Sequence, residues 1–413
     1  MSAANLSFGA LLGRISRPES LRHKSYRVAQ DDGYARMHQN EAFLPLTADE
    51  TERLWNELAG ALAASWRRPG RGSHVYPSLD PLGLRASYAR YLGVATDFIE
   101  VFSGSSDALQ TIAAGCFRPG GRVAFFEPSF SILRDMVSFW GAHYVPIPLA
   151  PDFSVDAAAL LSDGVLQADV VFLCTPNNPT GAVTPPELIR SLVSKCRGLV
   201  VIDEAYFEFA LARDSGHESF VQFATTRSNV LVTRTLSKAW GAAGLRVGAL
   251  VGCPEAMSFF GGLRHPYSIT APTEIIGSYL LDNKRELMED ICRKAAQECT
   301  AMEQALDGSP WQGKITAEGS GEAKGSAQCE VYPTKANFVF LGTPYATEIE
   351  RRCRESRILV RSLALPQRGP DGIVRERGYV RANPWDAESQ RRFVEIVTEV
   401  HGRDRSVVMR GIE

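Results

Sequence analysis

Between residues 100 and 252 short apolar runs alternate with amphipathic stretches, and that alternation limits the folds open to the chain. The runs read "VAFFE", "VVFLC", "LVVIDEAY", "NVLVTRTLS" and "VGALVG"; "DALQTIAAGCF", "FSILRDMVSFWGA" and "PPELIRSLVSKC" separate most of them. The runs lack a polar face, so each predicts a strand covered on both sides, and the stretches between repeat with helical period. Such strands, joined by helices, build a mostly parallel sheet between two helical layers. The last runs follow one another too closely for helical crossovers, so one of them is expected to be antiparallel.

Outside this region the pattern changes. "TADETERLWNELAGALAASW" predicts a helix with Thr47 as N-cap and acids in its first turn, and "LGLRASYARYLGV" a second helix ended by Gly93. From Glu274, "EIIGSYLLDNKRELMEDICRKAAQECTAMEQAL" reads as one long helical stretch. "NFVFL" and "YVRAN" follow as strands, with "YATEIERRCRES" and "AESQRRFVEIVTEV" as helices. Gly319–Gln328 is of low complexity and predicts a loop. The expected organisation is an N-terminal arm over 1–45 that joins the small domain, a large α/β/α domain over 46–275, and a smaller α+β domain over 276–413. A net charge of −2 over 413 residues offers no field for nucleic acid, and no apolar stretch approaches the roughly 20 residues of a membrane span. The eight cysteines form no C-x-x-C pair, which fits reduced core thiols in a cytoplasmic protein.

Open parallel sheets bind ligands beyond the carboxyl ends of their strands, so polar residues that end apolar runs are the candidates for chemistry. Asn178 follows "VVFLCTPN", Asp203 and Tyr206 end "LVVIDEAY", and Ser237 and Lys238 follow "NVLVTRTL". "GSSDAL" opens a helix, where backbone N–H groups and the dipole favour an anion. Four segments thus bring an amide, a carboxylate, a phenol, an amine and an anion-ready helix start to one edge.

"NNPTG", "DEAYFEF" and "SKAWGAAGLRVG", in that order, resemble the signatures of the fold-type I pyridoxal-phosphate enzymes, and within them the class I/II aminotransferases. The wording "TLSKA", with a paired "ILVR" and "YVR" near the end, resembles the histidinol-phosphate aminotransferase branch. The resemblance implies pyridoxal 5'-phosphate as cofactor and Lys238 as the residue that forms a Schiff base with its aldehyde and shuttles the proton. It also implies Asp203 at the pyridine nitrogen, Tyr206 and Asn178 at the ring oxygen, and Phe130 stacked on the ring. Ser105, Ser106, Asp107, Ser237 and Arg246 would hold the phosphate, and Tyr76 would reach the phosphate of a neighbouring subunit in a homodimer. For the substrate it implies Arg381 on the α-carboxylate, Arg361 on a distal phosphate, and Asn40 beside them. The expected partners are a small-molecule amino donor and a 2-oxo acid acceptor, with no nucleic acid and no membrane. The departures from the family pattern, "AFLP" after Glu41, "GLRHPYSIT" and "RANPWD", gather where a substrate side chain would lie. The same residues also suit decarboxylation of a phosphorylated amino acid or another Cα or Cβ reaction. A ligand sensor on this fold would carry a winged helix before it, and about 40 irregular residues there show no helix-turn-helix pattern.

Overall fold

The computed structural model describes residues 32–44, 46–68, 72–307, 329–368 and 374–401. The arm contributes a short strand, β1 (Ala35–Arg36). The predicted alternation then becomes β2 (Ile99–Phe102), β3 (Arg122–Glu127), β4 (His143–Pro148), β5 (Val170–Cys174), β6 (Leu199–Asp203), β7 (Val230–Thr235) and β8 (Gly248–Val251). These seven strands form one sheet in the order β2-β8-β7-β6-β5-β3-β4. Only β8 opposes the others, pairing antiparallel with both β2 and β7, so the antiparallel strand expected among the last runs is β8. Valine, isoleucine and phenylalanine point to both faces, where two buried clusters pack the sheet against its helices.

Helix signals in the sequence also hold. Thr47 caps Ala48–Trp66 with a reciprocal Glu50 contact, and Leu82–Leu92 ends at Gly93. The long helical stretch divides at Lys284 into Ala271–Asn283, which starts three residues before Glu274, and Arg285–Asp307. The second of these serves two cores: Met288 and Cys292 join the large one, whereas Cys299, Met302 and Leu306 join the small one.

The smaller sheet contains β9 (Glu330–Tyr332), β10 (Val339–Gly342), β12 (Arg361–Arg368) and β13 (Val374–Ala382), in the order β12-β13-β10-β9. Between them β11 (Ile358–Leu359) pairs in parallel with β1, which ties the arm to this part of the molecule, and Met37 enters its core. The low-complexity stretch 319–328 lies outside the described residues. All eight cysteines are free thiols. Among the described residues no helix is long and apolar enough to cross a membrane, and no cluster of side chains suits a metal ion.

Candidate active site

The carboxyl ends of β5, β6 and β7 lie side by side, with Cys174 opposite Asp203 and Asp203 opposite Thr233. Over this edge opens a cavity of about 400 Å³. Asn40, Ser105, Ser106, Phe130, Asn178, Asp203, Tyr206, Ser237, Lys238, Arg246, Arg361 and Arg381 all line it. Of the residues predicted for the site, Asp107 and Tyr76 stand apart. The N–H of Asp107 is spent on the Gly104 carbonyl (3.1 Å), and its carboxylate accepts the Ser103 N–H (3.0 Å), so it closes the helix start from within. Tyr76 is 79% exposed and stacks on Tyr267 with ring centroids 4.8 Å apart.

One corner of the cavity is built for an anion. The helix Ser105–Cys116 begins there, two residues earlier than "DALQ" suggested, and Ser105 and Ser106 are its first residues. Arg246 donates from Nη1 to Ser237 Oγ (3.1 Å), and Thr235 Oγ1 lies 2.9 Å from the same oxygen. Two glycines let these groups converge. A Cβ on Gly104, at φ +86°, would lie 2.3 Å from Arg246 Nη2, and one on Gly248 would lie 2.3 Å from Ser105 N. Backbone N–H groups, two hydroxyls and a guanidinium therefore share a space that side chains would fill, a donor set that fits a phosphate.

The centre of the cavity holds the titratable groups. Asp203 Oδ1 accepts from Thr233 Oγ1 (2.7 Å) and from the Ala205 N–H (3.2 Å). Burial pushes its carboxyl above the usual range, against those two hydrogen bonds. Such a carboxylate is stabilised by a cationic N–H placed against it, as a protonated pyridine supplies. Lys238 Nζ donates to the Gln39 carbonyl (2.8 Å) and lies 5.9 Å from the Tyr206 ring centroid. Desolvation, followed by the charge of Arg381, lowers this amine to about 8, so near neutral pH an appreciable fraction is unprotonated and nucleophilic. The Tyr206 hydroxyl accepts from Asn40 Nδ2 (2.8 Å), and burial raises it. Asn178 Oδ1 accepts from Arg381 Nη1, and Arg381 Nη2 donates to the His38 carbonyl (2.6 Å).

The remaining wall comes from the small sheet. Arg361 on β12 stands directly opposite Arg381 on β13, and Leu363 and Leu365 follow along β12. Of the other arginines on β13, Arg377 is held by Glu330 at 2.9 Å and Arg375 is exposed. Sequence reasoning missed Thr233, Gln39, Ile132, Leu363 and Leu365. Thr233 had a signal: it lies two residues before Thr235, on the same face of a strand. The role of Gln39 is played by a backbone carbonyl, for which side-chain identity carries no signal.

The family model for aminotransferase class I and II matches residues 48–320. The chain belongs to that family. It is 30% identical to a histidinol-phosphate aminotransferase of Chlorobaculum parvum over 86% of this chain and 91% of that one. It is also 30% identical to the Thermobifida fusca protein of that name, over 75% and 80% of the two chains. A histidinol-phosphate aminotransferase from Sinorhizobium meliloti, solved with pyridoxal 5'-phosphate, superposes with a TM-score of 0.73 over 93% of this chain and 96% of that one. L-threonine-O-3-phosphate decarboxylase from Porphyromonas gingivalis superposes with a TM-score of 0.67, over 89% of this chain and 100% of that one. At 20% identity both structures speak for the fold alone. This class I/II aminotransferase is a pyridoxal-phosphate enzyme, and its anion corner, buried carboxylate and desolvated amine suit that cofactor.

Proposed function

We propose that this aminotransferase moves the amino group of an amino-alcohol phosphate resembling histidinol phosphate to a 2-oxo acid. The observation that carries this reading is the pair Arg361 and Arg381, opposed across the β12–β13 ladder inside a cavity whose cofactor phosphate has its own corner at Arg246. Two guanidiniums beyond the cofactor suit a donor ending in phosphate and an acceptor with two carboxylates. Phe130, Ile132, Leu363 and Leu365 supply apolar walls for the body of the donor between those ends.

Each side chain has a task in that reaction. Pyridoxal phosphate, when bound, withdraws the electrons left on the substrate α-carbon. Asp203 keeps the proton on the ring nitrogen. Lys238 would form the bond that holds the cofactor and, once displaced by substrate, would carry the α-proton from the substrate Cα to the cofactor's C4′. Tyr206 and Asn178 donate to the ring oxygen, and Arg381 orients the carboxylate of the acceptor.

We further propose a homodimer. Tyr76, Leu79, Leu82, Phe259, Leu263 and Tyr267 are large apolar residues, each at least 41% exposed. They come from two stretches joined by the Tyr76–Tyr267 stack and by Arg264 Nη2 donating to the Leu79 carbonyl (2.7 Å). Exposed apolar residues linked in this way suit a two-fold interface that would carry Tyr76 to the partner's cofactor.

The test is a donor screen on the pyridoxal-phosphate-loaded protein with 2-oxoglutarate as acceptor. Glutamate should form fastest with histidinol phosphate, and its non-phosphorylated alcohol should be at least tenfold worse in kcat/KM. Equal turnover of the two donors would reject the phosphate reading, and CO2 release from a phosphorylated amino acid would reject transamination.

A further inference from the structure

Over its described residues 32–44 the arm has no regular structure beyond β1, yet residues 36–41 are tightly held. Asn383, fully buried just past the end of β13, accounts for much of this. Its Oδ1 accepts the Asn40 N–H (3.0 Å), and its Nδ2 donates to the carbonyls of Arg36 (3.2 Å), Glu41 (3.2 Å) and Pro384 (3.1 Å). Its own N–H donates to the Met37 carbonyl (2.9 Å). From the other side, Asn337 Nδ2 donates to the Asn40 carbonyl (3.1 Å).

Between these two asparagines Asn40 sits at φ 55°, in the left-handed region that glycine favours and that asparagine adopts more readily than most other residues. The backbone direction that results turns the Asn40 amide to the Tyr206 hydroxyl. A residue in that conformation persists only where its surroundings over-determine it. Here the surroundings are the side chains of Asn337 and Asn383, the latter placed two residues after the arginine that lines the same cavity.

We infer that Asn383 is a positioning residue: it locks the left-handed turn at Asn40, and through the Asn40 amide it sets how strongly Tyr206 donates to the cofactor's ring oxygen. This rests on the reading of Tyr206 as the ring-oxygen partner. A hydroxyl that accepts one hydrogen bond donates the next more strongly. Without the Asn40 amide the ring oxygen is less stabilised as an anion, and it holds the proton it shares with the cofactor–lysine nitrogen more tightly. The pH at which the visible absorbance of the bound cofactor changes therefore rises.

The experiment titrates that absorbance, without substrate, in the loaded wild-type, Asn40→Ala, Asn383→Ala and doubly substituted proteins. Each single substitution should move the midpoint upward by roughly 0.5–1 pH unit, and the double should move it no further, because both act through one contact. Asn383→Leu serves where the alanine cavity costs the fold: it keeps the volume but loses both the Oδ1 acceptor for the Asn40 N–H and the Nδ2 donors, and it should reproduce the shift. A wild-type midpoint in the Asn383 variants, or shifts that add, would overturn the inference. Placing Tyr206→Phe under the Asn383 substitution separates the premise from the inference. If Tyr206→Phe alone leaves the midpoint unchanged, the ring-oxygen reading is wrong. If it shifts the midpoint but the Asn383 substitution then adds more, Asn383 acts elsewhere.

Discussion

The two halves of the cavity are built differently. The half proposed for the cofactor stands on adjacent strand ends of one sheet: Asp203 closes β6, Ser237 and Lys238 follow β7, and Asn178 lies beyond β5. Its partners are near neighbours, such as Thr233 on Asp203 and Ser237 on Arg246. The substrate half is assembled from distant pieces. Asn40 meets Tyr206 across 166 positions of chain, Arg381 meets Asn178 across 203, and the arm meets Asn383 across 343. Rigid strand ends fix chemistry, whereas a wall drawn from the arm and a hairpin lets one set of chemical groups serve different substrates.

Substitutions can break or sharpen this contrast. The largest effect belongs to the cofactor half: Lys238→Ala should abolish turnover and the visible absorbance of the loaded protein together. Asp203→Asn should keep the cofactor but lower kcat by roughly 10²–10³-fold for every substrate alike, since it removes the charge proposed to hold the ring proton. In the substrate half losses should depend on the substrate. Arg381→Ala should cost about 2–4 kcal/mol, roughly 30- to 1,000-fold in kcat/KM, for carboxylate substrates. Arg361→Ala should cost about 1.5–3 kcal/mol for phosphorylated donors and little for others. A uniform loss at Arg361 would erase the distinction between the halves.

A smaller effect is expected with pH. Lys238 is lowered to about 8 by burial and by Arg381, so its ammonium form dominates below that value and its reactive amine above it. Capture of added pyridoxal phosphate should accelerate as pH rises through about 8 and then level off. Arg381→Ala should move that midpoint upward, because the second contributor to the depression is removed.

What could be read from the sequence follows the same division. The strands of the large sheet announced themselves by apolar runs, and the residues ending those runs were the ones that line the cavity. β2 and β4 were less legible: "IEVF" is four residues carrying an acid, and "HYVPIP" holds two prolines. Most of β12 escaped as well, since "RSLALPQR" mixes charges and a proline on a strand that pairs on one side only. Asn40 could be matched to a family position, but its bond to Tyr206 is a tertiary fact set by Asn383 and Asn337, which no local pattern marks. Asp107 read as a phosphate residue because a helix start offers N–H groups, and the fold spends that N–H on Gly104 instead.

The account depends most on the amine at 238 being the group that holds the cofactor. Loading the protein with pyridoxal phosphate, reducing with borohydride and mapping the modified peptide by mass spectrometry tests this directly. The account predicts one reduced pyridoxyl group per chain, on Lys238, and none on the Lys238→Ala protein. A pyridoxyl group on another lysine with Lys238 unmodified would contradict it.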